Sequence, residues 1–165
     1  MEFSTTTAHA ETVKADAVAV GVFADGELTA GARALDKASG GAVKAAIRSG
    51  DMTGKRGTLL ALRGLEGVAA PRVLLVGLGS RDDFGDRAYG EAVRSVVKAF
   101  PGAASIAVAA LDWDVKGRDS EWRACQFAIG AREAVFRSDE LKSKKDDASV
   151  PSKASIAEAS STATP

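Results

Sequence analysis

Cysteine and histidine are almost missing from this sequence of 165 residues: Cys125 and His9 each stand alone. A single cysteine excludes an internal disulfide and fits a reducing compartment. One histidine, with no cysteine or second histidine near it, offers no metal-ligand spacing, because a metal site needs several convergent ligands. A serine triad would have to recruit that same His9. An excess of either charge is lacking too, since 22 basic residues balance 22 acidic ones. That balance excludes a general electrostatic grip on nucleic acid or an anionic membrane and leaves room only for a local basic patch. No apolar stretch is long enough to span a bilayer. The first residues, Met-Glu-Phe-Ser-Thr-Thr-Thr, lack the basic and then apolar order of a secretory signal. Together these absences predict a cytoplasmic protein without a membrane partner.

What is present is a core. Hydrophobic residues make up 45% of the chain, enough for one domain of this length. The central stretch is Arg72-Val-Leu-Leu-Val-Gly-Leu-Gly-Ser80, four large apolar residues running into a Gly-x-Gly corner. An unbroken apolar run of this length reads as a strand covered on both faces. Other strands are predicted over residues 3–7, 17–23, 58–62 and 105–111, each rich in β-branched or apolar residues. Leu28, Ala32 and Leu35 follow helical spacing and predict a helix over 29–38. Val43, Ala46 and Ile47 predict a short second helix that Gly50 can end. Tyr89, Ala92, Val93, Val96, Val97 and Phe100 form a third apolar stripe, ended by Pro101-Gly102. Asp119 or Ser120 can cap a last helix with Trp122, Cys125, Ile129 and Phe136 on one face.

Alternating strands and helices, with strands that want cover on both faces, predict an α/β three-layer α/β/α sandwich on a mixed, mostly parallel sheet. The two early strands, separated by a short spacer, suggest the antiparallel pair at an edge. After about Leu141 the composition turns to Lys, Ser, Ala, Thr and Pro, so residues 1–140 read as the folded domain and 141–165 as linker or disordered tail.

Each candidate site has a plainer counterpart. Gly77 and Gly79 can bind an anion on backbone N–H groups at a helix start, or simply form a turn. A dinucleotide fingerprint would need a third glycine where Asp82 stands, and Asp82 and Asp83 would repel a pyrophosphate. Asp112, after the fifth strand, loosely resembles a ribose-binding acid. Gly54-Lys-Arg-Gly57 is a basic loop without Walker spacing. Its Lys55 and Arg56, with Arg33, Lys44 and Arg48, are the candidates for contacts to nucleic-acid phosphates. Cys125 falls on the predicted apolar face and reads as a buried structural thiol. Trp113, between Asp112 and Asp114, would anchor a partner if exposed. The run Lys142, Lys144, Lys145 reads as a solvated hinge.

Taken in order, these features resemble the N-terminal domain of the leucyl aminopeptidase (cytosol aminopeptidase) family. The matching stretches are the 17–23 strand, residues 41–50, the Gly54-Lys-Arg-Gly57 loop, the Arg72-to-Gly79 strand with its acidic helix start, and the closing Phe136-Arg-Ser-Asp-Glu-Leu-Lys-Ser-Lys-Lys145. The resemblance implies a macro-domain-like fold and a parent enzyme that removes N-terminal residues with two divalent metals, zinc or manganese, in a separate catalytic domain. It also implies a homo-hexamer and, in some bacterial members, DNA binding. The catalytic signatures, of the form Val-Gly-Lys-Gly and Asn-Thr-Asp-Ala-Glu-Gly-Arg, do not occur here. No catalytic residue, metal ligand or cofactor is therefore expected in this chain, which should be inactive alone. A DNA-binding module and a macro-like nucleotide-derivative binder remain the alternatives.

Overall fold

The computed structural model describes residues 2–6, 9–99, 105–141 and 153–157. Six strands form one sheet: β1 (Glu2–Thr6), β2 (Ala17–Phe23), β3 (Leu59–Arg63), β4 (Arg72–Gly79), β5 (Ser105–Val108) and β6 (Lys153–Ala157). Their order is β1-β6-β5-β2-β4-β3. Four helices cover it: α1 (Ala30–Ala38), α2 (Ala42–Arg48), α3 (Asp86–Ala99) and α4 (Ser120–Leu141).

The sheet is central because β2 and β4 carry apolar residues on both faces, and every residue of β2 is buried. Val18, Val20, Val22, Val73 and Leu75 pack toward Ala32 and Leu35 of α1 and Val43 and Ala46 of α2. Ala19, Phe23, Leu74, Val76 and Ile106 pack toward Tyr89, Val93 and Val97 of α3 and Phe127, Ala131 and Ala134 of α4. The alternation along each strand thus feeds two separate apolar layers. The expected α/β/α sandwich is the architecture found.

Several details differ from the sequence reading. All neighbours in the sheet are parallel except β3, which pairs antiparallel to β4 at the edge. β1 does not pair with β2. Instead Glu2 to Thr6 lie opposite Lys153 to Ala157. The antiparallel pair sits where the connection is closed by a backbone bond, Gly64 N–H to Pro71 O at 3.0 Å. The sheet also extends past the boundary read at residue 140, because β6 lies between β1 and β5. Five residues of apparent linker composition find two parallel neighbours, which local composition does not encode. β5 is shorter than expected and gives way at Ala109 to a 3-10 turn over Ala110–Asp112.

Two side-chain expectations are corrected. Cys125 is exposed, not buried. The buried stripe of α4 is Phe127, Gly130, Ala131 and Ala134, so Cys125 and Ile129 point outward, with Ile129 at 44% exposure. Trp113 is fully buried and cannot anchor a partner from the surface. Phe100, Pro101, Gly102 and the run Lys142, Lys144, Lys145 lie outside the described residues, as does the side chain of Phe136.

Candidate functional site

The strands β2 and β5 are parallel neighbours, β5 ending opposite Ala19 while β2 runs on to Phe23, and the chain leaves them toward opposite faces. β2 leads into α1 on one face, whereas β5 leads through the 3-10 turn into α4 on the other. In open parallel sheets such a divergence leaves a crevice beyond the carboxyl ends of the strands, and ligands bind there.

Thr29 sets one wall. It is the N-cap of α1: its Oγ1 accepts from Ala32 N–H at 3.5 Å and donates to Gly21 O at 2.8 Å. The second wall is the turn after β5. Asp112 reaches across, and its Oδ2 accepts the Gly31 N–H at 2.7 Å. The approach requires glycine, because a Cβ at Gly31 would lie 2.8 Å from Ala109 Cβ and 3.0 Å from Asp112 Oδ2. Asp112 is only 9% exposed. Its second oxygen, Oδ1, is buried with no donor among the described residues. Burial pushes the carboxyl up to about 6, the nearby charge of Asp114 adds to this, and the Gly31 bond with Arg123 and Arg33 oppose it.

Trp113 lies in the opposite apolar layer, with α3 and α4. Its indole lies over Gly21 and meets the Tyr89 ring at 6.0 Å, edge to face. Its Nε1 has no acceptor among the described residues. Tyr89 directs its hydroxyl at Ala110 O, 3.3 Å away, and Arg123 O, 2.9 Å away, and burial raises its pKa well above the ordinary phenol range. Arg123 donates to Asp114 Oδ1 at 3.1 Å, while its Nε is buried without an acceptor among the described residues. The crevice therefore gathers a helix N-terminus, a carboxylate and two guanidinium charges. It can hold charge. The hydroxyls described there, on Thr29 and Tyr89, both donate to backbone carbonyls.

The candidates read from the sequence are scattered differently. Gly77 and Gly79 are not a strand-to-helix corner; both belong to β4. The Gly77 N–H donates to Thr58 O at 2.8 Å and the Gly79 N–H to Gly54 O at 2.9 Å, so both donors are already engaged. A Cβ at Gly77 would lie 2.1 Å from Lys55 O, which explains that glycine as a packing requirement. Asp82 and Asp83 form a 3-10 turn ahead of α3. Arg56 is held by Glu91, with Nε to Oε2 at 3.0 Å. Lys44 stands 3.9 Å from Asp36. Arg33, Arg48 and Lys55 are exposed and make no ion pair among the described residues. His9 is half-buried, and no three His, Cys, Asp or Glu side chains among the described residues converge as a metal site would need. The two divalent metals implied by the resemblance therefore have no fitting ligand set in the described part of this chain.

Among the described residues, one groove of about 60 Å³ lies between Arg56, Leu59, Gly77 and Glu91, and another of about 220 Å³ between α3 and α4 at Gly90 and Gly130. Both fall below the roughly 300 Å³ at which small-molecule pockets begin. No helix among the described residues is long and apolar enough to cross a membrane. Sequence reasoning named Asp112 but missed its partner Gly31 and the neighbouring cap Thr29. Thr29 was accessible as a cap ahead of the Ala32 and Leu35 stripe.

Comparison with known proteins places this arrangement. The family described as "Cytosol aminopeptidase family, N-terminal domain" matches residues 19–145. A probable cytosol aminopeptidase of Aromatoleum aromaticum is 46% identical over 146 residues, covering 87% of this chain and 29% of that protein. A second, from Nitrosospira multiformis, is 40% identical over 150 residues, covering 90% of this chain and 29% of that protein. The chain thus spans less than a third of these relatives. Among solved structures, a tomato leucine aminopeptidase mutant is similar with a TM-score of 0.73 at 22% identity, over 95% of this chain and 32% of that one. The macrodomain of Thermus aquaticus DarG is similar with a TM-score of 0.63 at 13% identity, over 95% of this chain and 97% of that one, a likeness of fold alone. The chain belongs to the cytosol aminopeptidase family and corresponds to its N-terminal domain.

Proposed function

We propose that this chain is the non-catalytic N-terminal domain of a cytoplasmic bacterial leucyl aminopeptidase, a two-metal exopeptidase that removes N-terminal amino acids. In this reading it supports a hexameric architecture and limits substrate access, while the metals and catalytic groups reside in a catalytic domain beyond this chain. The observation that carries it is the match of residues 19–145 to the N-terminal domain of the family, over 29% of the relatives' length.

The test is a chimera. The matching 146 residues of the Aromatoleum aromaticum protein are replaced by this chain. The chimera is expected to keep that protein's oligomeric mass and its hydrolysis of leucyl-p-nitroanilide. The 165-residue chain alone, supplied with zinc or manganese, is expected to hydrolyse none. Metal-dependent hydrolysis by the chain alone, or a chimera that no longer assembles, overturns the reading.

A second reading, a DNA-contacting surface, is favoured by the exposed Arg33, Arg48 and Lys55, which make no ion pair among the described residues. A few phosphate contacts would give weak binding with a shallow salt dependence. Gel shifts at low salt are expected to show a complex that Arg33→Ala with Arg48→Ala weakens. No complex at the lowest salt removes this reading.

A further inference from the structure

β3 closes the sheet at one edge, and no described strand lies beyond it. Its backbone has a defined outward half. In an antiparallel pair, residues that exchange bonds with the neighbouring strand alternate with residues whose N–H and C=O point away from it. Thr58 O accepts from the Gly77 N–H at 2.8 Å, and the Gly64 N–H donates to Pro71 O at 3.0 Å, so the even-numbered positions face β4. Leu59, Ala61 and Arg63 therefore turn their N–H and C=O outward. No bond to another described residue engages these groups.

Sheet edges are commonly guarded against pairing by proline, by bulges or by inward charges. β3 has an unbroken register with β4, no proline from Thr58 to Arg63, and a single charge, Arg63, at its end. Both of its faces are apolar. Leu60 and Leu62 are half-buried against the layer of α1 and α2. Leu59 stands 41% exposed on the other face, in the groove it shares with Ala88 and Ala92 of α3. The order Leu-Leu-Ala-Leu-Arg also fits its own reverse. When two copies of β3 are set antiparallel about Ala61, every outward N–H meets an outward C=O. Leu60 then lies opposite Leu62 of the second copy at a site where side chains approach closely. Leu59 lies opposite Arg63 of the second copy, and the two arginines stay at opposite ends. A pairing centred on Arg63 would set those arginines against each other, and any centre other than Ala61 leaves outward groups unmet.

We propose that the β3 edge is a docking surface for a second copy of this chain, joined as an antiparallel β3–β3 pair on a two-fold axis through Ala61. The two sheets become one, and the half-covered Leu60 and Leu62 of each copy gain apolar neighbours. The strand contributes five residues a side, against the roughly 20–30 of a stable interface, so the association is weak and follows concentration. It draws on neither the strand-end crevice nor a catalytic domain, so it stands or falls separately from the aminopeptidase reading.

Sedimentation equilibrium of the full chain, from about 10 μM to about 1 mM, is the test. The mass is expected to climb from that of one chain toward that of two. Ala61→Pro deletes the outward donor at the two-fold axis and leaves the bonds to β4 in place. It is expected to weaken association at least about tenfold, since both central bonds are lost. A charge pair at Leu59 reads the register. Leu59→Arg faces Arg63 of the second copy twice over and is expected to weaken association, whereas Leu59→Glu faces the same arginines and is expected to tighten it. Should Ala61→Pro not fold, these two surface variants decide. On dilution of wild type, the amide resonances of Leu59, Ala61 and Arg63 are expected to move more than those of Leu60 and Leu62. A chain that stays monomeric throughout overturns the proposal and leaves the edge to a strand from a different protein. Dimers that Leu59→Glu weakens as much as Leu59→Arg, or dilution shifts confined to α3 and α4, overturn it as well.

Discussion

At the scale of single residues, Asp112 dominates the electrostatics of the fold. Its carboxyl holds a proton up to about pH 6, against an ordinary value of 3.8, because burial disfavours the charged form more than the Gly31 bond and the two arginines favour it. A pKa raised in the fold means that the folded chain binds the proton more tightly than the unfolded chain. The stabilisation from this group is therefore full below about pH 4 and is lost as pH rises through about 6. The loss amounts to about 3 kcal/mol. Asp112→Asn removes the titration. Urea unfolding from pH 4 to 7.5 is expected to show wild type losing stability relative to the variant across that window. A difference that stays flat with pH would mean that Asp112 is well solvated. Little of this could be read from the sequence. The Asp112 to Gly31 bond joins residues 81 positions apart, so no local pattern carries it. The burial of Trp113 was illegible for the same reason: it stands between the polar Asp112 and Asp114, while the ring lies against Gly21 and Tyr89.

At the scale of elements, α3 and α4 are joined through Tyr89. The ring is fully buried, meets Trp113 and Trp122 at centroid distances of 6.0 and 5.5 Å, and places its hydroxyl between carbonyls of the 3-10 turn and of α4. Tyr89→Phe keeps the ring and deletes the donor. It is expected to cost about 1–2 kcal/mol, the usual penalty for leaving buried acceptors unmet, read as a lower urea midpoint with an unchanged slope. The helices themselves were legible because their stripes follow the helical period, as at Tyr89, Val93, Val96 and Val97 of α3. α4 was legible in extent but not in facing. Trp122, Cys125 and Ile129 look like a stripe, yet the small residues Gly130, Ala131 and Ala134 are what let the helix approach α3. Small residues carry a weak hydrophobic signal, so the closest contact was the hardest to see. β2 and β4 were plain for the opposite reason: strands buried on both faces leave unbroken apolar runs.

At the scale of the whole molecule, β6 has an effect larger than its length. Among the described residues it is the only strand through which β1 joins the sheet, since β1 pairs with β6 and β6 with β5. A chain ended after Leu141 is expected to keep slow amide exchange in β2 and β4 and to lose it in β1, although β1 is untouched in sequence. Retained protection in β1 would show that it has another neighbour. The pairing also fixes how the molecule would carry tension. β1 and β6 run in the same direction, with Glu2 opposite Lys153 and Thr6 opposite Ala157. A pull applied at the outer ends, residue 2 and residue 157, drags the two ribbons past each other along their length. Their hydrogen bonds would then bear the load together rather than opening one by one, so two short terminal ribbons would act as a lap joint against stretching.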